Sequence, residues 1–356
     1  MADHAVSVPR PDLHHRVRRM AGRDPHEVHR AATPLELLFD LTFVVAFSQA
    51  ANELSHYLAE DHLRTAIVGF CFAMFAVCWA WINFSWFASA FDTDDWIYRT
   101  ATMVQMIGVI ILALGLPTMF ASIDAGELVN NRVMVGGYIV MRVAMVFQWL
   151  RAARQDPIRR PACLTFAVTI SMAQVGWIVV LLAETSVLVM FLWVVVLVAV
   201  ELLGPIIAER KVRTPWHAHH IAERYGLLAI IALGEAIIGT VAALSVVIEQ
   251  TGWTFDATVL GLAGIGLTWG LWWIYFIVPS AEILHAHRER AFLWGYGHIV
   301  VFAGIAAVGA GLHVAAYYLE GVSHLDATAT ILAIAVPASR KRWNGSKSRT
   351  RYEYRV

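Results

Sequence analysis

The sequence predicts an all-α fold, a polytopic membrane bundle of about ten transmembrane helices with a parallel internal repeat. Three observations carry that expectation. The 356 residues are 58% hydrophobic and only 15% charged, with a mean hydropathy of +0.60, whereas a soluble domain is about a quarter charged. So much apolar surface cannot be hidden in one water-soluble core. Apolar stretches of about 20 residues, enough to cross a ~30 Å hydrocarbon layer, recur along the chain. Finally, the basic residues alternate so regularly between these stretches that all of the 27 Lys and Arg except Arg64, Arg132 and Arg142 fall on one side.

The first stretch, 35–54, puts Glu36 and Asp40 four residues apart, on one helical face, with Gln49 about halfway across. The second, 65–87, ends in Trp79, Trp81 and Trp86, as indole rings prefer a membrane interface. The third is 101–120. The fourth, 133–150, carries Arg142 near its middle, and the fifth, 163–183, carries Gln174. The sixth, 187–208, holds Glu201 nearer the basic side. The seventh, 225–247, contains Glu235 eleven residues beyond Arg224, about 16 Å deeper and within about 20° of the same face. The eighth, 257–278, has a small-xxx-small pair, Gly266 and Gly270, suited to close helix contact. The ninth, 291–319, is long enough to tilt and carries His298 and His313. The tenth, 325–338, is too short to cross comfortably.

Positive-inside orientation places the amino terminus in the cytoplasm. Residues 1–32 read as a disordered basic leader without the apolar core of a cleaved signal. Their His4, His14, His15, His26 and His29 match no metal-ligand spacing. Cys71, Cys78 and Cys163 read as small core residues. The basic face suits anionic lipid headgroups and gives no support to a nucleic-acid partner.

Shifted by 186 residues, "FDLTFVVAFSQA" (39–50) lies over "YGLLAIIALGEA" (225–236), with Gln49 on Glu235. Shifted by 192, "WINF" (81–84) lies over "WIYF" (273–276). An even offset of six helices gives two copies of the same orientation. The expected organisation is a first repeat at 33–215, an incomplete second at 216–338, and a basic tail, 339–356, that reads as a truncated or frame-shifted end.

Charges inside apolar helices usually face a bundle interior and pair with one another. The expectation is a polar layer centred on Glu235 and Arg142, with Gln49 and Gln174 at similar depth and Asp40, Glu201 and His298 leading to it. At the cytoplasmic entrance stand Glu36, His219, His220, Glu223 and Arg224. Such a layer serves either as a route for protons, ions or a small polar solute, or as a packing device.

"ATPLELLFDLTFVVAFSQ" together with "HHIAERYGLLAIIALGEAIIG" (219–239) resembles the bacterial low-temperature-requirement A family, over roughly residues 33–337. The resemblance implies a polytopic inner-membrane protein linked to growth in the cold, with no settled biochemical activity. More remotely, Arg30 followed by Phe39-Asp40 is similar to the two-repeat endolysosomal potassium/proton channels. Phe39 stands where those have Ser, and Tyr225-Gly226 stands in the second repeat where Phe-Asp would be.

The favoured function is therefore a transporter or channel. The alternatives are a non-transporting structural or regulatory protein of cold adaptation, or an intramembrane enzyme. No metalloprotease, phosphate-loop or nucleophile-elbow motif is present, so no enzyme activity and no cofactor are expected. "DTDD" (92–95) is the nearest catalytic candidate, a Mg²⁺–diphosphate site, against the plainer reading of a solvated acidic loop. His298 and His313 on one helix supply only half the ligands two haems need.

Overall fold

A computed structural model describes residues 16–25, 27, 30–126, 129–183 and 187–338. The described residues form helices without strands. In chain order these are α1 (Pro34–Ala59), α2 (Leu63–Phe91), α3 (Trp96–Asp124), α4 (Arg132–Gln155), α5 (Arg160–Leu182) and α6 (Val187–Lys211). There follow α7 (Ala218–Thr251), α8 (Phe255–Phe276), the short α9 (Ser280–Ala286), a 3₁₀ turn (Arg288–Arg290), α10 (Ala291–Glu320) and α11 (Ala327–Ala338). Among the described residues, nine helices are long and apolar enough to cross a membrane, and α11 is shorter. The chain is a multi-pass membrane protein.

Local signals set the helix starts. Thr33 and Glu36 form a reciprocal capping box ahead of α1, with Pro34 in the first turn. Asp95 caps α3 and Thr254 caps α8. At α7 the cap is His217, which accepts from the His220 N–H at 3.3 Å. That cap starts α7 seven residues earlier than its apolar run does, so His220 and Arg224 lie within the helix. At 34 residues, α7 is about 51 Å long and overhangs the hydrocarbon layer.

α2 is the central helix and touches α1, α3, α4, α7 and α10. Around it α1 packs on α2 and α3, and α3 on α4. In the second half α7 packs on α8 and α10, and α10 on α11. Phe39, Phe43, Phe47, Phe84, Phe87 and Phe91 fill the core beside α2. Large apolar side chains such as Met172, Leu192 and Leu262 point outward, as lipid contact requires.

Four expectations need correction. Gly266 and Gly270 have nothing within 4 Å of a would-be Cβ. Close helix contact comes instead from Gly239 and Gly309, where a Cβ on Gly239 would sit 2.6 Å from the Gly309 carbonyl oxygen. Trp79 and Trp81 are not interface anchors, being 1% and 0% exposed. The leader is not disordered from residue 16 onward. Met20 is fully buried, the Gly22 N–H donates to Asp156 at 2.9 Å, and the Arg23 N–H donates to the Ala90 carbonyl at 2.9 Å. Fourth, the DTDD loop is not solvated, since Asp92 and Asp95 are both buried. The leader histidines 4, 14, 15, 26 and 29 and the tail 339–356 lie outside the described residues. Cys78 and Cys163 are buried and Cys71 is exposed, all three free.

Candidate functional site

Two buried ionic centres flank α2, and the spacing of two tryptophans explains how. Trp79 and Trp81 are two residues apart, so their side chains leave the helix about 200° from each other. The Trp81 indole N–H donates to Asp40 on one side at 2.7 Å. The Trp79 indole N–H donates to Glu201 on the other, also at 2.7 Å. A buried indole needs such a partner.

The first centre joins α1 to α7. Arg224, fully buried, reaches Glu36 at 3.4 Å and makes a close pair with Asp40. Its guanidinium also lies over the rings of Trp81 and Phe84, 5.6 and 5.3 Å from their centroids. His220, one turn before Arg224, contacts Glu36 at 3.1 Å. Arg30 reaches Glu36 at 3.9 Å and donates to the Ala88 carbonyl. The i, i+4 pairs Glu36/Asp40 and His220/Arg224 thus interlock across one interface. Two acids face two guanidinium groups, which balances charge inside the bundle.

The second centre lies among α2, α4 and α6. Arg142 donates to Glu201 at 2.8 Å. Both are nearly sealed, at 4% and 5% exposed, about 20 and 15 Å from the basic ends of their helices. Tyr138 sits under the Arg142 guanidinium, 5.0 Å to the ring centroid, and its hydroxyl donates to the Ala76 carbonyl. Pro205 lacks the N–H that would bond the Glu201 carbonyl four residues back, so the α6 ladder is open at this acid. The Tyr296 hydroxyl donates to the neighbouring Leu202 carbonyl at 3.0 Å.

Small cavities approach Glu201 from both ends of the bundle. One, of about 30 Å³, runs from Asn131 at the start of α4 past Phe75, Tyr138 and Trp177 to Glu201. Another, of about 20 Å³, lies toward the basic end among Trp79, Asn83, Pro205, Glu209 and Thr214. Between them Asn83, Thr169, Glu201 and Pro205 line a gap with no room for a water molecule. Each cavity has space for a water or two.

The expected layer is therefore divided. Arg142 takes its acid from Glu201, not from Glu235. Glu235 accepts a close hydrogen bond from the Ser48 hydroxyl of α1. Gln49 donates to Glu53 at 3.0 Å. Gln174 is buried with no partner for its amide among the described residues. The His298 Nδ1 lies 2.7 Å from the Trp294 carbonyl oxygen. Its ring is surrounded by Tyr225, Tyr275, Trp294 and Phe302, apart from both ionic centres. Of the entrance cluster, Glu36, His220 and Arg224 come together, while His219 and Glu223 are exposed. Trp79, Trp81 and Tyr138 are the members that sequence reading missed. The signal was the Trp-x-Trp spacing.

The DTDD loop is structural. Asp95 accepts from Arg151, Tyr98 and Arg18. Burial alone would raise its pKa, but those bonds hold it below the usual carboxylate range. Asp92 is pushed up to about 6 by burial, aided by the nearby Glu36 charge. Asp94 pairs with Arg99 at 2.8 Å. Asp94 and Asp95 each pair with an arginine of their own, and Asp92 accepts the Asp94 N–H through Oδ1 at 2.8 Å. Among the described residues no group of three or more His, Cys, Asp or Glu could hold a metal ion.

A multi-pass helical bundle with ionic pairs sealed inside it defines the class. The family follows from comparison: the profile described as "Bacterial low temperature requirement A protein (LtrA)" matches residues 31–339, and the chain belongs to that family. An uncharacterized protein of Rhizobium meliloti (strain 1021) is 30% identical over 310 residues, covering 80% of this chain and 70% of the relative. No solved structure matches.

Proposed function

We propose that this protein is a transporter or channel that moves a proton, an ion or a small polar solute through the polar site at Glu201 and Arg142. In this reading it resides in the bacterial inner membrane with its basic end, and the amino terminus, in the cytoplasm. The supporting observation is that Glu201 lines both the cavity that comes from the Asn131 end and the gap leading toward Glu209. Anything crossing along this path meets a carboxylate already matched by Arg142. The closed gap makes this an occluded arrangement in which passage requires α6 to move, and the open ladder at Pro205 is a natural place for that. Catalysis is not proposed, because the carboxylates of the DTDD loop are committed to structural bonds.

The test is flux into liposomes carrying the full chain, read with a proton-sensitive dye and with potassium- and sodium-selective indicators. Wild type is expected to exceed empty liposomes, and Glu201→Gln to abolish the excess. Unchanged flux in Glu201→Gln removes this path. A folded wild type inert to every probe supports the alternative, a membrane component that acts by association.

A further inference from the structure

We infer that Glu235 is a proton-binding carboxyl, a second ionisable site separate from the Arg142–Glu201 pair, at the junction of α1, α7 and α10. It is 2% exposed and about 26 Å along α7 from Ala218. Among the described residues no Lys, Arg or His stands within ion-pair distance of it. Arg224, eleven residues toward the basic end, is committed to Glu36 and Asp40. What holds Glu235 is the Ser48 hydroxyl, which donates to Oε1.

The packing around it selects the ligand. A Cβ on Gly309 would lie 2.6 Å from the Glu235 carbonyl carbon and 2.7 Å from its Cβ, so α7 and α10 touch backbone to backbone at this residue. α1 closes the other side through Ser48. A hard divalent cation needs about six or more oxygens around it, and this sandwich offers the carboxylate and one hydroxyl. A proton needs no such shell. It neutralises the acid where an unpaired charge is most costly.

Several other ionisable groups on the surrounding helices have partners of their own or lie toward helix ends. On α1, Asp40 is bound by Arg224 and Trp81, and Glu53 accepts from Gln49. α2 brings Cys78, α8 carries Asp256 and Tyr275 near its two ends, and α9 carries Glu282 and His285 near the basic end. On α10, His298 lies toward the basic end in its aromatic ring. His313 lies one turn outward of Glu235, with its Cδ2 3.3 Å from a would-be Cβ on Gly239 and its Nε2 buried without a hydrogen-bond partner. His313 is thus placed to pass a proton between Glu235 and the end of the bundle opposite the basic one. The step is proton transfer alone: the His313 imidazolium becomes neutral imidazole as its N–H bond breaks, one Glu235 carboxylate oxygen gains that proton, and no other bond changes.

Infrared difference spectroscopy tests this on the full chain in neutral phospholipid vesicles, titrated upward from pH 6. Wild type is expected to show a protonated-carboxyl C=O band that shifts in D₂O and bleaches as pH rises. The Glu235 component, isolated by subtracting the Glu235→Gln spectrum to remove other buried acids such as Asp92, should be retained in Glu201→Gln and moved in frequency in Ser48→Ala. His313→Gln should keep the band and slow its exchange with deuterium. A band of full size in Glu235→Gln, with wild-type helicity and elution, overturns the assignment, as does a wild type without such a band. The readout needs no flux, so its failure leaves the Glu201 path standing, and absence of flux leaves proton binding at Glu235 standing.

Discussion

Replacing Arg224 by Met tests whether the α1–α7 interface is held by charge matching. The Met side chain retains much of the apolar stem and the contact with Trp81 and Phe84, but not the guanidinium. Glu36 keeps Arg30 at 3.9 Å and His220 at 3.1 Å. Asp40 keeps only the Trp81 N–H among its described hydrogen bonds. The loss therefore falls mainly on one stranded carboxylate that is 1% exposed. Breaking a buried pair by removing one partner costs about 3–5 kcal/mol, and the surviving indole bond puts Arg224→Met near the lower end. Asp40→Asn also strands a charge, now on Arg224, but Glu36 remains 3.4 Å away, so about 2 kcal/mol is expected. In the double variant neither charge is stranded, and the amide oxygen introduced at position 40 can still accept from Trp81. Its cost should fall about 2 kcal/mol short of the sum of the singles, within the range for contacting residues. Reversible unfolding in detergent micelles, followed by circular dichroism, gives all three values. Additive costs, or a single Arg224→Met cost below about 1 kcal/mol, would refute the reasoning.

Two further predictions concern stability. Asp92, just outside the α2 span, has its pKa raised by burial to about 6. Whatever it contributes is fully present below its unfolded value of about 3.9 and lost as pH rises through about 6. Asp92→Asn should therefore stabilise the protein at pH 8, by about 1–3 kcal/mol, and have no effect near pH 4; equal effects at both pH values would contradict this. Gly309→Ala should destabilise by about 1–3 kcal/mol, because its Cβ overlaps the Glu235 backbone. Gly266→Ala and Gly270→Ala, with open space around each Cβ, should be neutral or gain up to about 1 kcal/mol of helix propensity. A reversed ranking in thermal unfolding would show that the small-xxx-small pair is the true contact.

The helices were legible because lipid leaves a chain few options: backbone groups must be satisfied within each span. The shared face of Glu36 and Asp40, and that of His220 and Arg224, also followed from the helical period. Pairing across helices did not. Depth counted from the ends of apolar runs ignores overhang, and α7 begins seven residues before its run. Arg142 and Glu201 differ in depth by only about 5 Å on their parallel helices, well within the reach of an arginine side chain, so the acid assigned to a shallower level is the one Arg142 meets. On sequence alone Glu235 needs a cation. A hydroxyl on α1 takes that place, and a serine in an apolar run gives no sign of which helix it will face.

The two ionic centres are separate in space but share a wall. α2 gives one indole to Asp40 and the other to Glu201, about 200° apart around its axis. A rotation of α2 that lengthens one of these bonds also swings the other indole, because both rings are fixed to one rigid helix. Each indole is fully enclosed, so neither can adjust its rotamer to compensate without displacing packed neighbours. The α1–α7 interface and the Arg142–Glu201 pair thus both bond to a single element, α2. A movement of α2 that changed one centre would therefore strain the indole bond at the other.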